Sequence, residues 1–255
     1  MSKNTGLRLP ADTSGAGIDL SQLSDRELAT LEAALKRKVS QWRLLDFYPD
    51  TGPLRRELYV KHMLFFGAGK KFNERCAMAA NRVGKSEGMG GYELTLHLTG
   101  RYPDWWHGFK FDRAIKSWAA GDTGKTVRES LQPKLLGPLE AVGTGLIPAD
   151  DIVDFTPKQG VPGAVDFVKV RSQFGGESLL VFKSYDQKRE SFQGSEQDVI
   201  MLDEEPPADI VTECRLRTMP TVPGQLPGLL MLTYTPLNGV TEVVLDYLEN
   251  AERLG

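Results

Sequence analysis

The chain has 255 residues, of which 40% are hydrophobic and 25% charged, an ordinary composition for a soluble globular protein. Its net charge of −3 excludes an overall basic surface for nucleic acid, so any DNA contact has to come from local patches, or from a ring of subunits in which such patches add. Two cysteines without C-x-x-C spacing argue against a disulfide framework or a zinc site, and no apolar run is long enough to cross a membrane.

The N-terminal part of the chain predicts a mobile start followed by a helical arm. Residues 1–17 are rich in Ser, Gly and Thr, which is typical of a mobile terminus. A helix is expected to begin at Ser24, because Ser24 and Glu27 have the spacing of a capping box. Apolar residues at helical spacing then give this helix one apolar face. They are Leu28, Leu31, Leu35, Val39 and Trp42. We expect residues 1–46 to form this arm and residues 47–255 to form one α/β domain.

A second helix is predicted from Leu54 to Phe66, directly before the first core strand. It carries Tyr59 and His62, which could reach a nucleotide base from that position. Because a single Tyr and a single His on a helix are more often packing or surface residues, the composition leaves both interpretations open.

A short apolar strand, a turn and the start of a helix are predicted for residues 76–86, and the turn ends in Gly84-Lys85-Ser86. In a phosphate-binding loop the backbone N–H groups hold the phosphate oxygens, the Lys ammonium spans the β- and γ-phosphates, and the Ser hydroxyl is a magnesium ligand. The positive N-terminal end of the following helix adds to such a site. We therefore assign Lys85 to the phosphates of a nucleotide and Ser86 to Mg²⁺.

The spacing of this turn departs from the standard phosphate-loop pattern. G-x-x-x-x-G-K-[ST] has a glycine where this chain has Ala79. A Gly-Lys-Ser triplet alone occurs by chance in many proteins, so an ordinary strand-to-helix turn with a solvated lysine explains it equally well. The choice between the two interpretations depends on residues further along the chain.

The next stretch of the chain predicts alternating helices and strands and then a hairpin. Trp105 and Trp106 lie in an aromatic loop, where packing onto the domain is favoured over stacking on bases. Residues 137–163, rich in Gly and Pro, are expected to be irregular. The two runs that flank Gly175 and Gly176 alternate as in a β-hairpin. The expected helices cover residues 87–98 and about 123–136, the strand covers 114–120, and the hairpin strands cover 165–173 and 178–183.

A second chemically informative stretch, residues 199–207, is an apolar run that ends in carboxylates and prolines. A continuous hydrophobic run predicts a buried parallel strand, and ligands in open α/β sheets collect at the carboxyl ends of such strands. Asp203 would hold Mg²⁺ through its water shell, since Mg²⁺ takes few protein carboxylates. Glu204 would orient and deprotonate the attacking water. The alternative is that Asp203 and Glu204 are only a charged loop after a core strand. Their combination with Lys85 and Ser86 favours nucleotide hydrolysis instead.

The rest of the chain completes the predicted fold. A helix is expected over residues 208–218, a strand over residues 229–233 and a last helix over residues 240–253. At least one strand intervenes between the phosphate-loop strand and the Asp203 strand, as in ATPases with an additional catalytic glutamate. The sequence therefore predicts a P-loop NTPase of the ASCE type, with a mainly parallel central sheet flanked by helices and an added β-hairpin. It contains neither the Asn-Lys-x-Asp base reader of GTPases nor an Arg-rich kinase lid.

Several short motifs, taken together and in their order, resemble the large subunit of the terminase that packages DNA in tailed bacteriophages. The similarity is to the ATPase part of headful-packaging terminases of short-tailed phages and covers residues from about 47 to 250. No single motif is specific, but the set is. The motifs are Ala-Asn-Arg-Val-Gly-Lys-Ser (80–86), His-Leu-Thr-Gly-Arg-Tyr-Pro (97–103), Phe-Gln-Gly (192–194), Asp-Glu-Glu-Pro-Pro (203–207) and Thr-Tyr-Thr-Pro-Leu (233–237).

The resemblance implies a role for each matched position. Tyr59 falls where the family has its adenine-recognising Gln motif, with His62 in place of the glutamine. Arg82 stands near an arginine that contacts the γ-phosphate, and the family often replaces the first loop glycine, which accounts for Ala79. The residues implied to bind ATP are Tyr59, His62, Ala80, Asn81, Arg82, Val83, Gly84, Lys85 and Ser86. The residues implied to sense the γ-phosphate and couple hydrolysis to subdomain movement are Thr233, Tyr234 and Thr235.

The resemblance also implies an arginine finger, which reaches the site of a neighbouring subunit. Arg189 lies in the segment where this residue is expected. Such an arginine stabilises charge on the transferring phosphate and contributes several orders of magnitude in rate. Arg215 and Arg217 are rival candidates, and the sequence leaves the three open.

By the same resemblance the chain is a motor domain that hydrolyses ATP to translocate double-stranded DNA into a preformed procapsid. Its cofactors are ATP and Mg²⁺, and its partners are DNA, the portal protein, the small terminase subunit and further copies in a homo-oligomeric ring, a pentamer. It would act in the host cell cytoplasm without a membrane. A complete large terminase carries an RNase H type nuclease domain after the ATPase, which is expected to be absent here. The alternatives left open are a helicase or recombination ATPase and a non-hydrolysing nucleotide-binding adaptor at the portal.

Overall fold

The computed structural model describes residues 23–254, except for the side chains of residues 33, 36–42 and 251–254. The chain divides into two compact units, residues 1–35 and 36–255. Within the described part of the chain, no helix is both long and apolar enough to cross a membrane.

The first unit contributes the beginning of helix α1 (Asp25–Leu45). The predicted capping box is formed, because the Ser24 hydroxyl donates to Glu27 Oε2 at 2.6 Å and the backbone N–H of each residue bonds the side chain of the other. These bonds satisfy donors that a helix N-terminus leaves without an intrahelical partner, which explains why α1 begins here. The parts of the N-terminal prediction that lie outside the described residues are the mobility of residues 1–17 and the side chains of Val39 and Trp42.

The described residues of the second unit contain seven strands that form one sheet. They are β1 (Glu74–Met78), β2 (Lys116–Gly121), β3 (Ile152–Pro157), β4 (Val165–Arg171), β5 (Glu177–Ser184), β6 (Val199–Asp203) and β7 (Leu229–Tyr234). Their order in space is β1-β7-β6-β2-β5-β4-β3. Neighbours along this order pair in parallel as far as β5, whereas β5–β4 and β4–β3 are antiparallel. The mainly parallel sheet and the added hairpin, β4–β5, are therefore confirmed.

Burial of the strands falls from the centre of the sheet to its hairpin edge. Every residue of β6 and β7 is buried, as their continuous apolar sequences predict. In contrast, β3 has no buried residue and pairs with β4 through an irregular register. The expectation that residues 137–163 are irregular is therefore wrong at β3. An exposed edge strand lacks a strong apolar pattern, and backbone bonds to its neighbour hold it in place.

The helices of the second unit lie close to their predicted positions. They are α2 (Val60–Ala68), α3 (Tyr92–Thr99), α4 (Gly124–Thr126), α5 (Gln132–Leu136), α6 (Ala208–Thr218) and α7 (Glu242–Leu254). Two π-helical segments, Lys85–Gly91 and Val127–Leu131, lead directly into α3 and α5. A Cβ at Gly90 would lie 2.6 Å from the Met201 Cε and 3.1 Å from the Thr233 Cγ2, so this glycine faces the side chains of β6 and β7.

The aromatic loop packs onto its own domain, the alternative favoured from the sequence. Trp106 is buried, and its indole N–H donates to the Phe109 carbonyl oxygen at 2.9 Å. The Trp105 ring lies nearly parallel to the Tyr92 ring, with 6.2 Å between the two centroids. Both tryptophans are therefore part of the packing around α3.

A buried ion-pair network fixes the two elements that flank the loop after β1. The Arg75 guanidinium, on β1, donates to the two carboxylate oxygens of Glu93, on α3, at 3.0 and 2.7 Å. His97 Nε2 lies 3.2 Å from the same carboxylate, and Arg75 also bonds the Phe65 carbonyl oxygen of α2. Burial alone would raise the pKa of Glu93, but Arg75 and His97 hold it below its usual value. Because breaking a buried ion pair is costly, this network holds the strand and the helix on either side of residues 79–84 together.

Candidate functional site

Three parallel strands end side by side at one edge of the sheet. β7 lies between β1 and β6, with Thr233 paired to Ala77 on one side and to Asp203 on the other. The loop of residues 79–84 therefore lies next to the end of β7, and the acidic turn after β6 lies beyond it. In space, β7 therefore separates β1, which leads into the loop, from β6, which leads into the acidic turn, although β7 is the last strand in the sequence. β2 lies on the far side of β6.

The loop after β1 has the backbone of an anion-binding turn. Arg82 and Gly84 both have positive φ angles, of 64° and 83°. Left-handed residues within a turn direct neighbouring N–H groups into one concavity. The helical segment Lys85–Gly91 begins at once, and the amides of Gly88 and Met89 bond the Gly84 carbonyl oxygen at 2.7 and 3.1 Å. The positive end of a helix is therefore added to the loop.

The Lys85 ammonium lies inside this loop. It donates to the carbonyl oxygens of Ala79 and Ala80 at 2.8 and 2.6 Å, and to Thr235 Oγ1 at 2.8 Å. An ammonium has three donors, so these bonds use all of them. Burial lowers the pKa of Lys85, and the carboxylates at the end of β6 oppose this shift. The lysine therefore connects the loop backbone to Thr235, which follows β7.

Threonine hydroxyls join the three strand ends. Thr233 Oγ1 donates to Asp203 Oδ1 at 2.9 Å, and both side chains are buried. Thr235 Oγ1 lies 2.9 Å from the Ala79 carbonyl oxygen and 2.7 Å from Asn81 Oδ1. The end of β7 therefore contacts the acidic strand on one side and the loop on the other.

Glu204 follows β6 in an unusual backbone conformation. Its φ is 64°, in the left-handed region that residues with a side chain rarely adopt, while its side chain is exposed at the sheet edge. Its N–H donates to the Thr233 carbonyl oxygen at 3.1 Å. Partial burial and the adjacent Asp203 carboxylate raise the pKa of Glu204, against the opposing charges of Lys85 and Lys134. Backbone strain of this kind persists where the surroundings hold it, and it clusters at functional sites.

Ser86 and Asp203 are the residues that would hold Mg²⁺. Ser86 lies in the first turn of the helical segment and is half-buried, and Asp203 is buried at the end of β6. Over residues 23–254, no group of three or more His, Cys, Asp or Glu side chains could hold a metal. One hydroxyl and one carboxylate nevertheless fit Mg²⁺, which takes few protein ligands and keeps waters and substrate phosphates in its octahedron.

His62 lies beneath the loop and supports its backbone. Its Nε2 is 3.0 Å from the Val83 carbonyl oxygen, and its Nδ1 is 2.6 Å from the Tyr48 hydroxyl. The Tyr48 hydroxyl also donates to the Gly88 carbonyl oxygen at 2.6 Å, and Tyr59 packs edge-on against the Tyr48 ring. Tyr48 could not be predicted from the sequence, because a tyrosine in a turn-rich link carries no signal of a contact with a later helix.

The other residues predicted to bind ATP or to couple its hydrolysis lie at the rim of the loop or in the core. The exposed ones at the rim are Asn81, Arg82 and Val83. Tyr234 is fully buried, so its side chain packs in the core while its two threonine neighbours reach the site. Base recognition by Tyr59 and His62 stays a prediction, and both ring nitrogens of His62 contact protein atoms.

The three arginines considered for the arginine finger have different surroundings. Arg215 bonds one carboxylate on β1 and one on α7, with N–O distances of 2.6 and 2.5 Å. Arg189 and Arg217 share a single buried carboxylate, that of Glu213 on α6, each at 3.0 Å. Arg189 is the most exposed of the three, with 48% of its side chain accessible. Arg215 is therefore tied within the domain, whereas Arg189 lies at its surface.

A second A-A-x-x-x-G-K-[ST] string, residues 119–126, runs from the end of β2 into α4 and carries the same sequence signal as residues 79–86. Its geometry is different. The Gly124 N–H donates to the Asp186 carboxylate at 3.2 Å, and Gly124 has no positive φ angle. Lys125 is exposed instead of lying in a loop. Because a carboxylate already bonds the start of this helix, phosphate-loop geometry belongs to residues 79–86 and not to the second string.

In the ASCE group of P-loop NTPases, an additional strand lies between the strand before the phosphate loop and the strand before the acidic turn. β7 has this position here, so the fold and the site place this protein in the ASCE group. A family model described as "Terminase large subunit, T4likevirus-type, N-terminal" matches residues 76–254. The chain belongs to this family of terminase large subunits, as the motif resemblance indicated.

Individual relatives extend the comparison. The large terminase subunit of Salmonella phage P22 is 33% identical over 254 residues, which cover 92% of this chain and 48% of that protein. The chain thus spans about half the length of this relative. Solved structures also match, among them the following two. A mutant of the large terminase ATPase domain of Thermus phage P74-26 has 16% identity and a TM-score of 0.45, covering 79% of this chain and 70% of that one. The large terminase of a thermophilic bacteriophage has 13% identity and a TM-score of 0.47, covering 86% of this chain and 43% of that one.

Replacing Lys85 by alanine is expected to weaken ATP binding by roughly a hundredfold or more, because charge-assisted bonds to phosphate are lost. Lys125→Ala is the matched control, since it removes the lysine of the second string and is expected to bind ATP like the wild type. Isothermal titration with ATP and Mg²⁺ measures both, with a thermal melt to show that each variant is folded. Equal losses in the two variants, or a loss confined to Lys125→Ala, would contradict the assignment of the loop.

Proposed function

We propose that the chain is the ATPase motor domain of a terminase large subunit, which hydrolyses ATP to translocate double-stranded DNA into a preformed procapsid. The observation that carries the proposal is the convergence of Lys85, Thr235 and the Asp203 strand end at one sheet edge. Membership of the terminase family supports the packaging role, which belongs to whole terminase large subunits, and this chain spans about half the length of the phage P22 relative.

In this proposal the triphosphate of ATP lies in the loop, on the backbone N–H groups of residues 80–86 and on Lys85. Lys85 then exchanges its bonds to the Ala79 and Ala80 carbonyl oxygens for bonds to phosphate oxygens. The exchange is favourable, because a hydrogen bond between two charged groups is stronger than one to a neutral carbonyl. Ser86 and Asp203 hold Mg²⁺, which when bound neutralises charge on the phosphate oxygens.

Glu204 is the proposed general base. It accepts a proton from the water that attacks the γ-phosphorus, while the bond from that phosphorus to the bridging oxygen breaks and ADP leaves. Its exposed carboxylate at the sheet edge, close enough to Lys85 for the two charges to interact, supports this role.

Coupling of hydrolysis to movement would run through the bond between Lys85 and Thr235. Because the Thr235 hydroxyl contacts both the ammonium and two loop residues, a change in what Lys85 binds alters the contact between the loop and the end of β7. The bond from Thr233 to Asp203 extends this link to the acidic strand. The tyrosine between the two threonines holds the end of β7 in the core.

Arg189 is the proposed arginine finger, donated to the neighbouring site in a homo-oligomeric ring, a pentamer by the family resemblance. Removing one partner from a buried carboxylate is ordinarily costly. When Arg189 turns outward, the Glu213 carboxylate is still paired with Arg217, so releasing Arg189 costs less free energy. Arg215 lacks this freedom, because it joins two carboxylates on separate elements.

The proposed partners follow from the family. They are double-stranded DNA, the portal protein and the small terminase subunit, and the motor would act in the host cell cytoplasm. With a net charge of −3, DNA contacts would come from local basic patches, or from a ring of subunits in which such patches add.

Replacing Glu204 by glutamine is expected to leave ATP binding intact and to lower turnover by about a thousandfold, because the amide is similar in size but accepts no proton. ATP would then stay bound and unhydrolysed, which filter retention of labelled ATP and chromatography of the retained nucleotide measure. Glu205→Gln is the matched control, since the Glu205 carboxylate bonds Thr241. Turnover at the wild-type rate in Glu204→Gln would count against the general base.

Mixed subunits test the arginine finger. Arg189→Ala and Glu204→Gln proteins are each expected to be inactive alone and to regain turnover when mixed with DNA and portal protein. Where the two variants are neighbours in a ring, the Glu204→Gln subunit supplies an intact Arg189 to the site of the Arg189→Ala subunit, which has an intact Glu204. A mixture of Lys85→Ala and Glu204→Gln is the control that should not recover, because both changes damage the same site. If a mixture of Arg217→Ala and Glu204→Gln regains turnover, and a mixture of Arg189→Ala and Glu204→Gln does not, the arginine finger is Arg217 and not Arg189.

A further inference from the structure

We infer that Tyr185 is the positioning residue for Glu204, an inference that rests on the proposed hydrolysis of ATP. Tyr185 directly follows β5, two strands away from β6 in the sheet. Its hydroxyl reaches across β2 and donates to the Asp203 carbonyl oxygen at 2.9 Å, and it lies 3.3 Å from the Glu204 carbonyl oxygen. One hydroxyl therefore contacts the carbonyls on both sides of the Glu204 Cα.

The backbone of Glu204 needs such a restraint. At a φ of 64° a residue with a side chain lies in an unfavourable conformation, which the surroundings must impose. On one side, the Glu204 N–H bonds the Thr233 carbonyl oxygen of β7 at 3.1 Å. On the other side, the Tyr185 hydroxyl donates to the Asp203 carbonyl oxygen and lies near that of Glu204. The Glu204 backbone is thus fixed between the end of β7 and the turn after β5, and this sets the direction in which its side chain leaves the backbone.

Tyr185 is itself held rigidly. It is buried, and its ring packs against Phe192 with 6.4 Å between the centroids. A capping box between Ser184 and Gln187 fixes the turn in which it lies. The tyrosine is therefore a fixed donor and not a mobile surface side chain.

The same turn leads into the segment that carries Arg189. The residues Arg189–Phe192 form a short helical turn directly after it, and Phe192 packs on the Tyr185 ring. The contact between Tyr185 and Phe192 thus connects the turn that reaches Glu204 with the segment that carries Arg189. Both rings belong to a buried cluster that includes Ile200 and Leu202.

Tyr185→Phe tests the inference, because it keeps the ring and removes only the hydroxyl. Displacing a catalytic group by about 1 Å can cost a factor of about a hundred, so kcat for ATP hydrolysis should fall by about ten- to a hundredfold. KM for ATP and the affinity for ATP with Mg²⁺ should stay within about twofold of the wild type, since the loop is untouched. Tyr247→Phe is the matched control, because it removes the hydroxyl of a different, partly buried tyrosine, which bonds Glu74, and it should keep the wild-type kcat.

Each outcome of this comparison either supports or overturns the positioning role of Tyr185. A wild-type kcat in Tyr185→Phe, or equal losses of kcat in both tyrosine variants, overturns the positioning role. A parallel loss of ATP affinity and of the unfolding midpoint in Tyr185→Phe also overturns it, because that result marks a general structural defect. If the wild-type protein binds but never hydrolyses ATP in the presence of DNA and portal protein, the proposed function fails, and this inference fails with it. A reduced kcat at unchanged KM, seen in Tyr185→Phe alone, supports it.

Discussion

β7 is paired on both sides, with Thr233 opposite Ala77 of β1 and opposite Asp203 of β6. This register decides which side chains meet at the sheet edge, because a shift of one residue in a strand moves every side chain to the other face. The loop after β1, the threonines of β7 and the carboxylates after β6 come together only with these pairings. Because all residues of β6 and β7 are buried, the hydrophobic core itself enforces the register.

On this frame, hydrogen bonds connect groups that the chain places far apart. Thr235 bonds the lysine of the loop, Thr233 bonds Asp203, and the Tyr185 hydroxyl bonds the backbone around Glu204. The site is therefore a connected set and not a collection of independent residues. Hydrogen bonds in such a set polarise one another, so a change at one member affects its neighbours. In the proposed function, this is the physical basis on which phosphate binding at Lys85 would be transmitted to the end of β7.

Much of the fold was predictable because it depends on patterns within single segments. The apolar runs before Lys85 and before Asp203 predicted buried strands, and the alternation around Gly175 predicted the hairpin. The same segments gave the lysine and carboxylate positions that the structure brings to one edge. The resemblance of short motifs then supplied the family, which the match over residues 76–254 shows.

What was missed depends on contacts between segments. β3 is an exposed edge strand without an apolar pattern, and it exists through its pairing with β4. Tyr48 and Tyr185 look ordinary in sequence, and only the fold places their hydroxyls on the backbone of the helix after the loop and of the acidic turn. Residues 119–126 have the same sequence pattern as residues 79–86. The Asp186 carboxylate, which bonds the first residue of the helix in residues 119–126, distinguishes the two segments.

The most direct test of the account is a structure of this protein with Mg²⁺ and a non-hydrolysable ATP analogue. The account predicts that the β- and γ-phosphates lie in the loop of residues 79–84, with the Lys85 ammonium moved from the Ala79 and Ala80 carbonyl oxygens onto the phosphates. An analogue bound at Gly124, or a Lys85 that keeps all of its bonds to the loop while the nucleotide lies elsewhere, would contradict it.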